Sequence, residues 1–376
     1  MSDNLRRYCA IRDALKHLAP RQLSGNSLRH LHTLAALISG IVGSGRVSLP
    51  QVASHLPDGK QRSSRVRRFE RLLKNEHVTQ ETFFLPVAGA LLASLPSGPL
   101  VLVMDASDIG RGCLALVHAS MNVVVSVVFK KRALPLAWIV VRGNKGHLPE
   151  QTHRDLLTQV VALVPQGRSV IFLADGEFDG CGLLAALEQQ GWAFVCRTAK
   201  NAQLEEAQFL GCPFSFADLC ACLEPGDLIQ VPDTLFTGQG FGPLLAVAVW
   251  EKGCREPLFL VSNLELGEEA LFWYKRRFLI ETLFSDVKSR GFFLHKSHLS
   301  DPCRLARLLI AVCLAYVWLV LLGARVRHNR VWRGKVHRAL CNGRCDLSLF
   351  SLGRAWLQEC LNEGWRIPVA FSLSKL

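Results

Sequence analysis

Between Tyr274 and Lys288 the chain reads YKRRFLIETLFSDVK, with four side chains spaced Y-x2-R-x3-E-x6-K. On one α-helix, at about 100° per residue, Tyr274, Arg277, Glu281 and Lys288 fall within roughly 60° of arc. Phe272, Leu279, Leu283 and Val287 fall toward the opposite side. One helix edge then carries a phenol, a guanidinium, a carboxylate and an ammonium over an apolar back. The glutamate suits a hard divalent cation, and the basic pair with the hydroxyl suits phosphate oxygens. Charged residues on a helix more often mean only a solvated face, so acids elsewhere must decide.

Two short apolar runs supply such acids. Val101 to Met104 leads into Asp105, within LVLVMDASDIG, and Val170 to Ala174 leads into Asp175, within VIFLADGEFDG. Runs of this length and composition read as buried strands. A carboxylate at the C-terminal end of a buried strand sits where open α/β sheets place their chemistry. A single acid after a strand is commonly only a cap or turn former. Asp108 competes with Asp105, and Glu177 and Asp179 compete with Asp175, on the same grounds. Two aspartates and a glutamate about 4 Å apart would repel by about 4 kcal/mol per pair at an effective dielectric of 20. Divalent cations between them remove that cost. Two Mg²⁺ ions about 3.5–4 Å apart activate a water or a 3′-hydroxyl and stabilise the leaving oxygen.

The 274–288 segment resembles the Y-R-E-K signature of DDE transposases from bacterial insertion sequences, the IS-four family, with all four residues matching in identity and spacing. LFLVSNL (258–264) before it and KSRGF (288–292) after it are similar to the family too. The resemblance implies that Glu281 is the third catalytic, metal-binding acid, and that Tyr274, Arg277 and Lys288 contact DNA phosphates near the transposon end. It favours Asp105 over Asp108, by context, as the first acid, and Asp175 as the second. Asp175 is followed by Gly-Glu-Phe, where relatives often carry Arg-Gly-Phe, so one basic phosphate contact is missing. The family also implies Mg²⁺ as cofactor, with Mn²⁺ able to substitute, a homodimer that synapses two ends, a hairpin at the excised end, and action in the bacterial cytoplasm.

The resemblance implies a double-stranded DNA partner, both transposon ends and target, and composition agrees with a polyanion. The 376 residues carry a net charge of +13, which favours a polyanion. Thirteen cysteines without a regular framework argue for reduced, mostly buried thiols and against a secreted disulfide scaffold. Neither the Cys220–Cys222 pair nor Cys341 and Cys345 near His337 has the paired spacing of a zinc site. The N-terminus is polar and charged through Arg7, unlike a signal peptide. Leu308 to Leu322 is apolar throughout but short of the ~20 residues that span a bilayer, so it reads as a core helix rather than a membrane segment.

The expected fold class is α/β: a ribonuclease-H-like catalytic core with a β-rich insertion, preceded by a helical DNA-binding domain. That domain covers 1–95. Val47 to Leu56 and Ser63 to Asn75 suggest a helix-turn-helix, the second helix capped by Ser63 or Ser64. Val66, Phe69, Leu72 and Leu73 form its apolar stripe, and Arg62, Arg65 and Arg68 lie in a dense basic surface suited to DNA. The core covers 96–325. Strands are expected at Leu100–Asp105, Leu114–Ala119, Val123–Phe129, Leu136–Val141, 170–174 and Ala193–Arg197, with helices at Leu156–Val164 and Leu183–Gln189. The insertion covers 201–263, and 326–376 is a basic C-terminal region. A second basic cluster spans Lys130 to Arg154, within which His147 and His153 read as surface residues. Together these features point to a cut-and-paste DNA transposase that cleaves and joins ends by two-metal phosphoryl transfer. A nuclease on the same core, or a DNA-binding protein descended from a transposase, are the competing readings.

Overall fold

A computed structural model describes residues 1–18, 25–109, 120–142, 148–209, 211–336 and 346–373. The chain begins with six helices: α1 (Asp3–Leu18), α2 (Gly25–Ser44), α3 (Leu49–Ala53), α4 (Arg62–Lys74), α5 (Gln80–Phe83) and α6 (Leu85–Ser94). Helix α4 buries Phe69, Leu72 and Leu73, the stripe its sequence spacing predicts. Its N-cap is Gln61, with no side-chain cap bond, rather than Ser63 or Ser64. Helix α3 is a single short turn, not the ten residues expected. A clamp joins the two helices. Arg65 and Arg68 both pair with Asp58 in the intervening turn, while Arg62 donates to the Pro50 carbonyl and Arg65 to that of Ala53.

A ten-stranded sheet follows. Its strands are β1 (Leu100–Asp108), β2 (Ser120–Phe129), β3 (Arg132–Arg142), β4 (Val170–Ala174), β5 (Ala193–Arg197), β6 (Gln203–Glu206), β7 (Phe214–Ser215), β8 (Leu228–Phe236), β9 (Phe241–Val249) and β10 (Leu258–Ser262). Their spatial order is β3-β2-β1-β4-β5-β10-β9-β8-β6-β7. β2 runs antiparallel to β1 and β3, and β1, β4 and β5 run parallel. The two parallel neighbours β1 and β4 are almost wholly buried, as their unbroken aliphatic sequences require. The strands of 201–263 do not form a separate body. β10 pairs with β5, so the inserted strands lengthen the central sheet. The strand expected at Leu114–Ala119 lies outside the described residues.

β3 is one of the two outer strands, and an amide covers part of its edge. Gln80 accepts from the Trp138 backbone N–H (3.2 Å) and donates to the Trp138 carbonyl (2.8 Å), imitating one step of a further strand. The buried Trp138 ring meets Phe84 edge-on, 4.6 Å between centroids.

Between and after the strands lie α7 (Glu150–Val161), α8 (Cys181–Gln189), α9 (Phe216–Cys220), α10 (Gly267–Tyr274), α11 (Ile280–Ser285), α12 (Pro302–His328), α13 (Arg330–Val336) and α14 (Leu349–Asn362). Helix α12 is 27 residues long. Its apolar stretch is extended at both ends by turns bearing arginines, which the hydropathy run alone does not count. By length and composition it passes for a membrane span, with a mean hydropathy of 2.5, yet 89% of that window is buried inside the protein. α2, α4, α13, α14 and β3 cover it. α12 and α14 cross backbone to backbone at Gly323 and Gly353. A Cβ on either glycine would collide with a carbonyl of the opposite helix, Leu349 or Leu319.

Two expectations are overturned here. His153, expected at the surface, is 3% exposed on α7, with its ring 4.6 Å from that of Phe178. Its neighbours on the apolar face of α7, Leu156, Leu157 and Val160, are buried with it. Burial lowers its pKa below 6.5, so the imidazole is held neutral. Unfolding then takes up a proton, and stability present above pH 6.5 is lost as pH falls from there through the lowered folded value. The melting temperature is therefore expected to drop as pH falls below 6.5, and to drop less in His153→Phe. Among the described cysteines, only Cys196, Cys313 and Cys360 are buried. Cys212, Cys222 and Cys254 are exposed in loops between strands, where chain polarity rather than core packing sets exposure.

Candidate active site

The register of β1 against β4 brings two aspartates together. The parallel pairing ends at Met104 opposite Ala174, and Asp105 and Asp175 are the next residue on each chain. Asp175 leaves the sheet there. Asp105 does not end its strand, as the apolar run suggested, because β1 continues against β2 as far as Asp108. Asp105 is 5% exposed and Asp175 is half-buried.

Each carboxylate is oriented in the same way. The Oδ1 atom of Asp105 accepts from the Ala106 backbone N–H (2.8 Å), and that of Asp175 from Gly176 (2.9 Å). The Oδ2 atoms of both converge on one nitrogen, Arg277 Nη1, at 3.2 and 3.7 Å. Arg277 is 5% exposed and lies over the Phe278 ring, 4.6 Å from its centroid. Its pKa is raised; burial, the largest influence, pulls it down but is outweighed by Tyr274, Asp175 and Asp105. Burial pushes the Tyr274 phenol up, so it stays protonated. Arg197 adds a second, half-exposed cation 3.7 Å from Asp175.

Lys288 reaches the same face of β1. Its Nζ donates to Ser107 Oγ at 2.9 Å, and Ser107 is two residues beyond Asp105, hence on the same side of the strand. Ser107 has no signal in the sequence beyond that spacing.

Glu281 does not join this group. It is exposed on α11, which packs against β1. Among the described residues, no three His, Cys, Asp or Glu side chains are placed to hold one metal ion. The single helix expected over 274–288 explains the difference. α10 stops at Tyr274, residues 277–279 form a 3₁₀ turn, α11 follows, and Asp286–Arg290 form a π-helical turn. A 3₁₀ turn advances about 120° per residue instead of 100°, so side chains beyond it leave the common edge. Phe272, expected on the apolar back, is 52% exposed, with the Arg276 guanidinium stacked 3.9 Å from its ring. Arg132 of the second basic cluster fixes the π turn through a 2.9 Å ion pair with Asp286. Lys145 and His147 of that cluster lie outside the described residues.

The competing acids separate. Asp108 is exposed at the end of β1. Asp179 is half-buried and its pKa is raised, mainly by desolvation.

The donor set at Asp105 and Asp175 fits a hard divalent ion. It offers carboxylate oxygens only, and the two Oδ2 atoms already point at one positive group.

A model of the transposase DDE domain matches residues 96–318, and the chain belongs to that family. It is therefore a transposase, a DNA-cleaving and strand-transferring enzyme of a class that generally uses divalent metal ions. Comparison with curated protein sequences finds no match. Among solved structures, the chain is similar to the piggyBac transposase in a synaptic complex with hairpin DNA: 11% identity, 97% of this chain and 79% of that one, TM-score 0.49. It is also similar to human ENDOV: 16% identity, 54% of this chain and 92% of that one, TM-score 0.29. At these scores neither likeness specifies a function for this chain.

Proposed function

We propose that the chain is a cut-and-paste transposase whose catalytic acids are Asp105, Asp175 and Glu281, on a ribonuclease-H-like core. The observation that carries this reading is the convergence of both Asp Oδ2 atoms on the Arg277 guanidinium. A cation already sits between the two acids, on adjacent parallel strands, at the sheet end where α/β folds place their chemistry. The order β3-β2-β1-β4-β5, with only β2 antiparallel, supports the ribonuclease-H-like assignment. Asp105 and Asp175 would hold Mg²⁺, or Mn²⁺ in its place, which would supply activation of a hydroxyl nucleophile and charge neutralisation at the leaving oxygen.

The remaining work falls to the protein. Arg277 and Lys288 are donors with no acceptor capacity, and Tyr274 stays protonated; these three hold phosphate oxygens beside the acids. Arg277 leaves the aspartates when it takes a phosphate. Glu281 completes the set when the 275–290 segment re-coils on DNA; 3₁₀ and π turns mark helices that adjust in this way. Helix α4, with Arg62, Arg65 and Arg68 beside the exposed Arg67 and Arg71, meets duplex DNA within a helical DNA-binding domain at 1–95. The active unit is a homodimer pairing two ends, in the bacterial cytoplasm.

The test is cleavage of end-containing duplex DNA. Mg²⁺ should support nicking and joining, a chelator should abolish both while DNA stays bound, and Mn²⁺ should restore them. Cutting that survives complete chelation would overturn the two-metal reading. Binding should weaken steeply with salt, with a log–log slope of about −0.9 per neutralised phosphate. A flat salt response would contradict the basic surfaces assigned to DNA.

A further inference from the structure

The C-terminal region holds a cleft of about 740 Å³ that the cutting chemistry does not use. Three tryptophans line it. Trp332 of α13 and Trp356 of α14 stack nearly parallel, with centroids 4.7 Å apart and an interplanar angle of 16°. Trp365 continues the row at 5.5 Å from Trp356. The charged groups around it are all basic: Arg325, Lys335 and Arg366, with no acidic side chain among the described lining residues. Lys335 Nζ lies 3.9 Å over the Trp365 ring.

The polar atoms left over are all donors. Trp356 is 3% exposed, and its indole N–H finds no hydrogen-bond partner among the described residues. Arg325 Nε and Nη2 are buried and also lack one. Neither side chain can accept a hydrogen bond, and orphaned buried donors are costly. The group that satisfies this cleft is flat enough to stack on indoles, rich in acceptors, and negatively charged. A nucleotide has all three properties: a base with carbonyl and ring-nitrogen acceptors, and a phosphate for the basic rim. A base paired within a duplex cannot offer its face to a tryptophan.

We propose that this cleft binds an unstacked nucleotide of single-stranded DNA, a contact separate from the Asp105–Asp175 site. The proposal rests on the reading of this chain as a DNA-acting enzyme. It implies that the protein grips a strand that cutting has left unpaired, in addition to holding duplex.

The test uses the full-length protein in chelator, so that no cutting intervenes. Binding of a short fluorescent oligothymidylate is titrated against wild type, Trp332→Ala, Trp332→Phe and Lys335→Ala. Duplex affinity and the melting temperature of each variant are measured alongside. Loss of one stacked base predicts single-strand affinity about 5- to 150-fold weaker in Trp332→Ala, with duplex binding unchanged. Trp332→Phe should retain most of the affinity. An oligothymidylate carrying 5-iododeoxyuridine should photocrosslink to Trp332, Trp356 or Trp365. Unchanged single-strand affinity in a folded Trp332→Ala protein, or crosslinks mapping only elsewhere, would overturn the proposal. So would displacement by an acidic peptide but not by oligonucleotide. Failed end cleavage with intact Trp332-dependent binding would leave this site standing and remove the catalytic reading.

Discussion

Replacing Arg277 with alanine is expected to destabilise the protein by about 3–5 kcal/mol in the absence of divalent metal. The guanidinium is the shared counterion of Asp105 and Asp175, and the Arg277 and Asp105 side chains are only 6% and 7% exposed. Without it, two carboxylates meet at the sheet end without their shared buried counterion, and Arg197 beside Asp175 is half-exposed. Urea denaturation reads the loss as a lower midpoint at unchanged slope. Mg²⁺ is expected to restore part of it, because an ion that binds only the folded state stabilises by mass action. Arg277→Lys should fall between, since it keeps the charge but its strongly hydrated ammonium loses the planar stacking of the guanidinium over Phe278. An Arg277→Ala midpoint equal to wild type would mean the two aspartates do not depend on this residue.

The second large effect is on strand cutting. Asp105→Ala and Asp175→Ala are each expected to reduce it on the order of 10³-fold, about 4 kcal/mol of barrier, while duplex binding is kept. Glu281→Ala should match them. The geometry makes that the discriminating measurement: Asp105 and Asp175 share one cationic partner, whereas Glu281 faces solvent on α11. Equal loss for all three would mean the 275–290 segment rearranges on DNA. Undiminished cutting by any one variant would remove that residue from the site.

The sheet was legible in the sequence where burial is complete. β4 and β5 fall at the residues their apolar runs mark, because a strand enclosed on both faces tolerates little else. Asp105 and Asp175 could be found singly for the same reason. That they are neighbours could not, because it depends on the parallel register of β1 with β4, which no local pattern encodes. Arg277 shows the same limit: spacing predicted a phosphate contact, and only the fold reveals two carboxylates within reach. A fixed 100° step through 274–288 carries no warning of the 3₁₀ and π turns found there. An isolated histidine looks the same in sequence whether it faces water or, as His153 does, the Phe178 ring. The tryptophan cleft was invisible, since Trp332, Trp356 and Trp365 come from three segments that meet only after α14 docks.

The long apolar helix α12 carries a consequence for how the protein is made. It leaves the ribosome before α14, whose Gly353 must nest against Gly323 to close over it. For that interval the nascent chain displays an apolar surface, long enough by composition to pass for a membrane span, that the later helix has yet to cover.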